Sequence, residues 1–196
     1  MGKGAFEEEV KAMLEETGAM LEGHFLLASG LHSPRYVQCA LLLRYPRHAR
    51  RCGKRLAEML SDLRPELVVS PALGGLIIGH EVASHLDVPF LFCERVDGRM
   101  ALKRFPAPPR GSRFAVVEDV ITTGLSTRET AQVLIEAGCT WVGSSCVVDR
   151  SGGKASLPHE VISLIEMDIP TYDPEDCPLC RQGLPLSRPG TRQSSL

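Results

Sequence analysis

Short apolar runs alternate with amphipathic helical segments along much of this chain. The runs are bounded by Gly, Pro or charged residues, and they occupy residues 66–70, 88–94, 114–117, 140–150 and 160–167. Helical segments of about a dozen residues separate several of them, which is the pattern of βαβ units. We therefore predict an α/β fold with a twisted, mainly parallel sheet of about five strands and helices on both faces.

The segments that follow the predicted strands contain most of the chemically reactive side chains. They begin at Ser70, Glu94, Glu118 and Asp149. Ligands of parallel sheets bind at the carboxyl ends of the strands. The sequence thus predicts one functional site, built from these loops.

The segment FAVVEDVITTGLSTRE, residues 114–129, is the most informative of these loops. A buried strand is followed by Glu118 and Asp119, then by hydroxyl side chains around Gly124, and then by a helix. Ser126 and Glu129 have the spacing of a capping box. Free N–H groups at a helix start favour phosphate, whereas adjacent carboxylates suit ribose hydroxyls or a cation that arrives with the ligand. The pattern indicates a site for a phosphorylated sugar; the alternative is an ordinary capped turn.

Charge, hydropathy and cysteine content exclude several other classes of protein. The net charge is −2, with 22 basic and 24 acidic residues, which gives no basis for nucleic-acid binding. No apolar run approaches the ~18 residues of a membrane span, and the N-terminus lacks a signal-peptide pattern. Seven cysteines, an odd number, favour a reducing compartment. We expect a cytoplasmic protein with no membrane or nucleic-acid partner.

The motif VVEDVITTGLST, residues 116–127, resembles the phosphoribosyl pyrophosphate (PRPP) motif of type I phosphoribosyltransferases. Two further segments resemble the orotate-specific branch of that family: HFLLASGLHSPRYV, residues 24–37, is similar to its hood, and VVDRSGG, residues 147–153, to its strand that ends in arginine. The resemblance implies the type I phosphoribosyltransferase fold in a single domain of residues 1–183, with a hood at about 18–40. Residues 184–196 are expected to form a disordered tail.

The resemblance also implies a reaction and its site residues. Orotate and PRPP would give orotidine 5′-monophosphate and pyrophosphate, with Mg²⁺ carried by PRPP and a homodimer as the working unit. The residues expected to bind PRPP are Glu118, Asp119, Val120, Ile121, Thr122, Thr123, Gly124, Leu125 and Ser126, together with Ala72, Gly74 and Gly75 of the glycine loop.

Three residues are expected to bind orotate: Thr122, Arg150 and Tyr36. A planar guanidinium can hold the orotate carboxylate through two hydrogen bonds. A surface ion pair with Asp149 or a neighbour is the alternative for Arg150, and a place in the core or in a dimer interface is the alternative for Tyr36.

The chain departs from the family pattern at two places. The basic loop at residues 95–112 is shorter than usual, and Glu118, Asp119, Arg95 and Lys103 are the expected catalytic residues. Its basic side chains are Arg95, Arg99, Lys103, Arg104 and Arg110. Ala28 stands where many relatives have a basic residue that contacts pyrophosphate, so this loop or Arg35 must compensate, or PRPP binds more weakly.

Two further points are left open by the sequence. Cys177 and Cys180 form a CxxC pair that is either a plain turn or half of a zinc site, with His159 or a second copy of the pair as further ligands. The six histidines show no metal-binding spacing of their own. The alternative functions are a phosphoribosyltransferase for another nucleobase and a PRPP-binding regulator without catalysis.

Overall fold

Helices and strands alternate through most of the chain, as the apolar pattern predicts. The computed structural model describes residues 3–27 and 29–188. The strands in this part are β1 (Met20–Leu26), β2 (His32–Val37), β3 (Leu67–Pro71), β4 (Phe90–Val96), β5 (Arg99–Ala101), β6 (Arg113–Ile121), β7 (Thr140–Asp149) and β8 (Val161–Glu166). The α-helices are α1 (Lys3–Glu16), α2 (Cys39–Leu43), α3 (Pro46–Leu60), α4 (Gly75–Leu86), α5 (Leu125–Glu136) and α6 (Pro178–Arg181), and a 3₁₀ helix spans Ser61–Leu63.

Six strands form the central sheet in the spatial order β5-β4-β3-β6-β7-β8. The neighbouring pairs from β4 to β8 are all parallel, whereas β5 is antiparallel to β4. The predicted mainly parallel α/β sheet is thus confirmed. The sixth strand, β5, forms a hairpin with β4 through the turn at Asp97 and Gly98, where φ is 51° and 81°.

The direction in which the sheet grows reverses between β3 and β6. From β3 the chain proceeds outward to β4, and from β6 it proceeds in the other direction to β7 and β8. The crevice outside the carboxyl ends of such a strand pair is the usual ligand site of open α/β sheets. This position therefore lies between the glycine loop after β3 and the acidic end of β6.

Both faces of the sheet are buried, and two hydrophobic clusters cover them. In β6, Ala115 and Val117 belong to the larger cluster with α1, α3 and α4, whereas Phe114 and Val116 belong to the smaller cluster beside α5. Side chains along a strand alternate between faces, so a strand that is apolar at every position must be covered on both sides. This burial explains why the run at residues 114–117 lacks polar alternation.

The predicted hood corresponds to the antiparallel pair of β1 and β2. Met20 faces Val37 and Leu26 faces His32, with an irregularity between Glu22 and Phe25. The hairpin leads directly into α2, whose Leu42 is fully buried in the larger cluster.

The C-terminal segment packs against this hood. His32 and Tyr172 exchange backbone hydrogen bonds of 2.9 Å, and Ser187 bridges to Phe25 of β1. The tail predicted from Leu184 is therefore wrong for residues 184–188, because Leu26 N–H donates to the Ser187 carbonyl at 2.9 Å. Residues 189–196 lie outside the described residues. Among the described residues, no helix combines the length and the apolar character needed to cross a bilayer.

Candidate active site

Two adjacent carboxylates lie near the end of β6, at the reversal point of the sheet. The strand extends to Ile121, so Glu118 and Asp119 lie inside it rather than in the loop after it. Consecutive strand residues point to opposite faces. Glu118 accordingly turns toward α5, where the Thr127 hydroxyl donates a short hydrogen bond to its Oε1. Thr127 is not among the site residues predicted from the sequence, although it follows the predicted phosphate loop directly.

Asp119 turns toward the opposite face and toward the loop after β3. A Cβ added to Gly74 would lie 2.6 Å from Asp119 Oδ1, so any larger residue would displace the Asp119 carboxylate. Gly75 is more restricted, since a Cβ there would lie 2.9 Å from the backbone carbonyl oxygen of Val117. The glycine loop and the acidic strand end thus form one surface, which includes Ala72 at the end of β3. Asp119 is half-buried, and burial raises the pKa of its carboxyl.

Glu118 is almost completely buried, and its acidity is strongly altered. Burial raises the pKa of Glu118 from 4.5 to about 7, and the charge of Asp119 acts in the same direction, while the hydrogen bond from Thr127 opposes both. Near neutral pH a large fraction of the protein molecules therefore carries a proton on Glu118, although the hydrogen bond from Thr127 favours the ionised form.

The titration of Glu118 should give the protein a specific pH dependence of stability. Between pH 4.5 and about 7 the folded state holds a proton that the unfolded state has lost, so the free energy of unfolding should fall as pH rises through this window. The total decrease in the free energy of unfolding should be about 3 kcal/mol, and the decrease should level off above pH 7. Urea unfolding at several pH values should show a decline that is about 3 kcal/mol larger in the wild type than in Glu118→Gln, in which the raised pKa of Asp119 still contributes. Parallel profiles would contradict the assignment.

The helix that follows the acidic strand begins with a bend at Gly124. Gly124 has a φ of 73° and is the N-cap of α5, and the Thr123 hydroxyl accepts a hydrogen bond of 3.3 Å from Leu125 N–H. The predicted capping box of Ser126 and Glu129 is wrong, because the helix starts before Ser126 and Glu129 pairs with Arg95 instead.

The loop retains the features that a phosphate needs. Thr122, Thr123 and Leu125 are exposed, Ser126 is half-buried, and the first N–H groups of α5 lie in the same short segment. N–H groups at a helix start bind anions. Val120 and Ile121, which the resemblance assigns to PRPP, are strand residues, and Ile121 is buried.

Arg150 and Tyr36 lie at the same edge of the sheet as Asp119. Arg150 N–H donates to the Ile121 carbonyl at 2.8 Å, which ties the end of β7 to the end of β6. Tyr36 of the hood interacts electrostatically with Asp119 and with Arg150, and burial is the main cause of its raised pKa. The hood strand β2 therefore faces the predicted orotate site.

The Arg150 guanidinium is partly buried, and burial lowers its pKa. Its Nε is buried and has no hydrogen-bond partner among the described residues. An ion pair with Asp149, the alternative left open by the sequence, is not formed, because the Asp149 carboxylate accepts instead from Ser151 N–H at 2.7 Å. A buried guanidinium nitrogen without a partner requires an acceptor, and a planar carboxylate would provide one.

The basic loop contains residues with different surroundings. Arg95 forms a short ion pair with Glu129 of α5 and donates to the Gly98 carbonyl at 2.9 Å. Arg104 pairs with Glu94 at 2.9 Å, and Lys103 is exposed. Arg95 is the penultimate residue of β4, and Lys103 and Arg104 follow the β4–β5 hairpin, so all three lie at or beyond the carboxyl end of a sheet strand.

Arg110 belongs elsewhere. It packs beside Gly138, and Gly111 N–H donates to the Gly138 carbonyl at 2.8 Å, at the amino ends of β6 and β7. The prediction that Arg110 acts with the other basic residues of the loop is therefore wrong. Ala28 lies outside the described residues.

Comparisons with known proteins agree with this geometry. The "Phosphoribosyl transferase domain" family matches residues 41–171. An "Orotate phosphoribosyltransferase" of Thermotoga maritima is 48% identical over 183 residues, which cover 93% of this chain and 98% of the relative. A protein of the same name from Desulforamulus reducens is 45% identical over 186 residues, covering 95% and 97%. The crystal structure of orotate phosphoribosyltransferase from Aeropyrum pernix superposes with a TM-score of 0.69 and 28% identity, over 81% of this chain and 93% of that one.

Proposed function

The chain belongs to the orotate phosphoribosyltransferase family, and we propose that it transfers the 5-phosphoribosyl group of PRPP to orotate. The products would be orotidine 5′-monophosphate and pyrophosphate, in pyrimidine synthesis. The observation that carries the proposal is the position of Arg150: its buried, unpartnered Nε lies at the same strand edge as the acidic pair, among the described residues.

The PRPP site would be formed by β6, the start of α5 and the glycine loop. Asp119 would accept hydrogen bonds from the ribose hydroxyls. Glu118, on the opposite face of the same strand, would help to hold Asp119 in position. The loop from Thr122 to Ser126 would hold the 5′-phosphate through hydroxyl and N–H donors. Ala72, Gly74 and Gly75 would bind the pyrophosphate, because a glycine loop leaves backbone N–H groups accessible to an anion and this loop lies against Asp119.

The orotate site would lie between β7 and the hood. Arg150 would donate to the orotate carboxylate, Thr122 would contact the ring substituents, and Tyr36 would cover the ring and exclude water. Two anionic reactants held in line gain effective molarity, so the protein needs no covalent step of its own.

Negative charge develops on pyrophosphate as it leaves the ribose, and positively charged groups are needed to stabilise it. Arg95 and Lys103 are the proposed catalytic residues for this role, and Arg95 must exchange its Glu129 partner for the substrate. Magnesium prefers oxygen ligands, and Asp119 is the carboxylate of the acidic pair that faces the glycine loop. An ion that arrives with PRPP would be held near Asp119 and would neutralise charge on pyrophosphate.

A homodimer and a cytoplasmic location complete the proposal. The family resemblance implies that the basic loop acts on the partner's site. Leu73, beside the glycine loop, is 82% exposed and offers an apolar surface for such a partner. All seven cysteines are free thiols, which suits a reducing compartment.

A direct assay tests the proposed reaction. Purified protein, PRPP and Mg²⁺ should consume orotate, as followed by its absorbance, and should leave adenine, hypoxanthine and uracil unchanged in parallel reactions. Turnover of another base would contradict the assigned base. No turnover with any base, combined with a PRPP-dependent rise in Tm, would instead identify a PRPP-binding regulator.

A further inference from the structure

Four potential metal ligands from distant parts of the chain meet between the hood and the C-terminal segment. They are His24 of β1, His32 of β2, and Cys177 and Cys180 at α6. One ligand atom from each residue lies within 4.8 Å of all the others. We propose that these residues bind a single structural zinc ion, which fastens the hood to the C-terminal segment.

The distances among the ligand atoms suit tetrahedral zinc. With Zn–S bonds of about 2.3 Å and Zn–N bonds of about 2.0–2.1 Å, the edges of a tetrahedron are about 3.3 Å for N···N and about 3.6 Å for N···S. His24 Nε2 lies 2.9 Å from His32 Nδ1, 3.6 Å from Cys177 Sγ and 3.7 Å from Cys180 Sγ. Cys180 Sγ lies 3.4 Å from His32 Nδ1. Small outward shifts of the two imidazoles would admit the ion.

The surroundings of His24 select the required tautomer. His24 Nδ1 lies 2.9 Å from the Leu184 carbonyl oxygen, and a carbonyl can only accept, so this nitrogen must carry the proton. The lone pair of Nε2 then points toward His32 and the two thiols. A carbonyl that orients the second nitrogen of an imidazole is the usual support of a metal-bound histidine.

Burial and access are also those of a structural site. His24, His32 and Cys177 are at least 95% buried, whereas Cys180 is exposed and gives an ion a route from solvent. Cysteine thiolate and imidazole together favour zinc among common metals. Binding would release two thiol protons to solvent, and the two thiolates would balance the charge of Zn²⁺.

The proposed ion would join segments that are far apart in sequence. His24 and Cys177 are separated by 153 residues, and the same two segments are already joined by the backbone pairs His32–Tyr172 and Leu26–Ser187. A cross-link between such distant segments removes a large part of the freedom of the unfolded chain. The hood carries Tyr36 on the same strand as His32, so the ion would also hold this strand in place.

Metal analysis of the full-length protein tests the proposal. Protein purified in reducing buffer without a metal-affinity column should contain about one zinc per chain. Replacement by Co²⁺ should give the absorption bands of tetrahedral thiolate coordination. Removal of zinc by a chelator should lower Tm by roughly 5–10 °C, and added zinc should restore it.

Variants locate the site. His32→Ala and Cys180→Ser should each lose most of the zinc, whereas the matched controls His159→Ala and Cys139→Ser should retain it. His159 lies beside Trp141 and Cys139 beside Pro109, away from the proposed ligands.

Two results would overturn the proposal. The first is wild-type protein without zinc that shows neither a Tm response to added zinc nor tetrahedral cobalt bands. The second is full zinc content in both ligand variants. The cobalt titration uses the wild type, so the test remains decisive even if a ligand variant fails to fold.

Discussion

Asp119→Asn should lower kcat/KM for orotidine 5′-monophosphate formation by about 10³-fold while the fold remains intact. Asparagine has nearly the same shape and still accepts a hydrogen bond, but it lacks the charge. Hydrogen bonds to an ionised acceptor are roughly twice as strong as neutral ones. The carboxylate would also stabilise the positive charge that develops on the ribose as pyrophosphate leaves, and the amide would not.

The stability of this variant should distinguish a functional from a structural role for Asp119. Burial raises the pKa of Asp119, which means that the folded protein disfavours the ionised form. Removal of the charge should therefore leave Tm unchanged or slightly higher. A residue that costs stability in its ionised form is better explained by ligand binding than by folding.

The measurement pairs steady-state kinetics with thermal unfolding in the absence of ligand. Glu136→Gln is the matched control, because Glu136 is an exposed carboxylate at the far end of α5 that accepts from Gln132 at 2.9 Å. The control should keep full activity. An Asp119→Asn variant with a near-normal rate would show that the ribose assignment is wrong, and a large fall in Tm would indicate a structural role instead.

The central sheet was predictable because each strand carries its own signal. A strand such as β6, buried on both faces, needs an apolar side chain at each position from Phe114 to Val117. Parallel strands also bring their carboxyl ends to one edge, so Asp119, Gly74 and Arg150 could be grouped from their places after predicted strands. The local pattern sufficed here because sheet topology converts positions along the chain into positions in space.

Features that depend on side-chain partners could not be predicted in the same way. Ser126 and Glu129 have capping-box spacing, but the ion pair between Glu129 and Arg95 of β4 competes for that carboxylate. Local sequence spacing does not reveal a partner that is 34 residues away in the chain. Tertiary contacts of this kind decide the position of a helix start more strongly than an isolated motif does.

The two histidines beside the CxxC pair are a stronger example of a contact that local sequence spacing does not predict. His24 and His32 are eight residues apart, which is not a ligand spacing of a familiar zinc motif. His159, one of the two candidates for further ligands, lies instead beside Trp141, where its Nε2 is 3.2 Å from the backbone carbonyl oxygen. Only the antiparallel pairing of β1 and β2, together with the return of the C-terminal segment, brings the four ligand atoms together.

Arg150→Gln should raise KM for orotate roughly 100-fold and leave KM for PRPP within about threefold of the wild type. Glutamine keeps a donor of similar reach but cannot form two charge-assisted hydrogen bonds with one carboxylate. The loss of such a pair is worth about 3 kcal/mol. The stability of the fold should not decrease in this variant. Burial lowers the pKa of Arg150, which means that the charged guanidinium is itself unfavourable to bury.

Uracil provides the sharpest readout for this variant, since it is the orotate ring without the carboxylate. If Arg150 binds that carboxylate, inhibition by uracil should change little in Arg150→Gln while orotate binding falls, so that the preference for orotate over uracil collapses. Arg55→Gln is the matched control, because Arg55 pairs with Glu58 at 3.1 Å on α3, outside the proposed site. Equal losses for orotate and PRPP would instead mean that Arg150 supports the whole site through the end of β6, to which its backbone N–H is tied. The wild-type geometry favours the selective outcome, because the Arg150 guanidinium interacts electrostatically with Tyr36 of the hood and its Nε has no hydrogen-bond partner among the described residues.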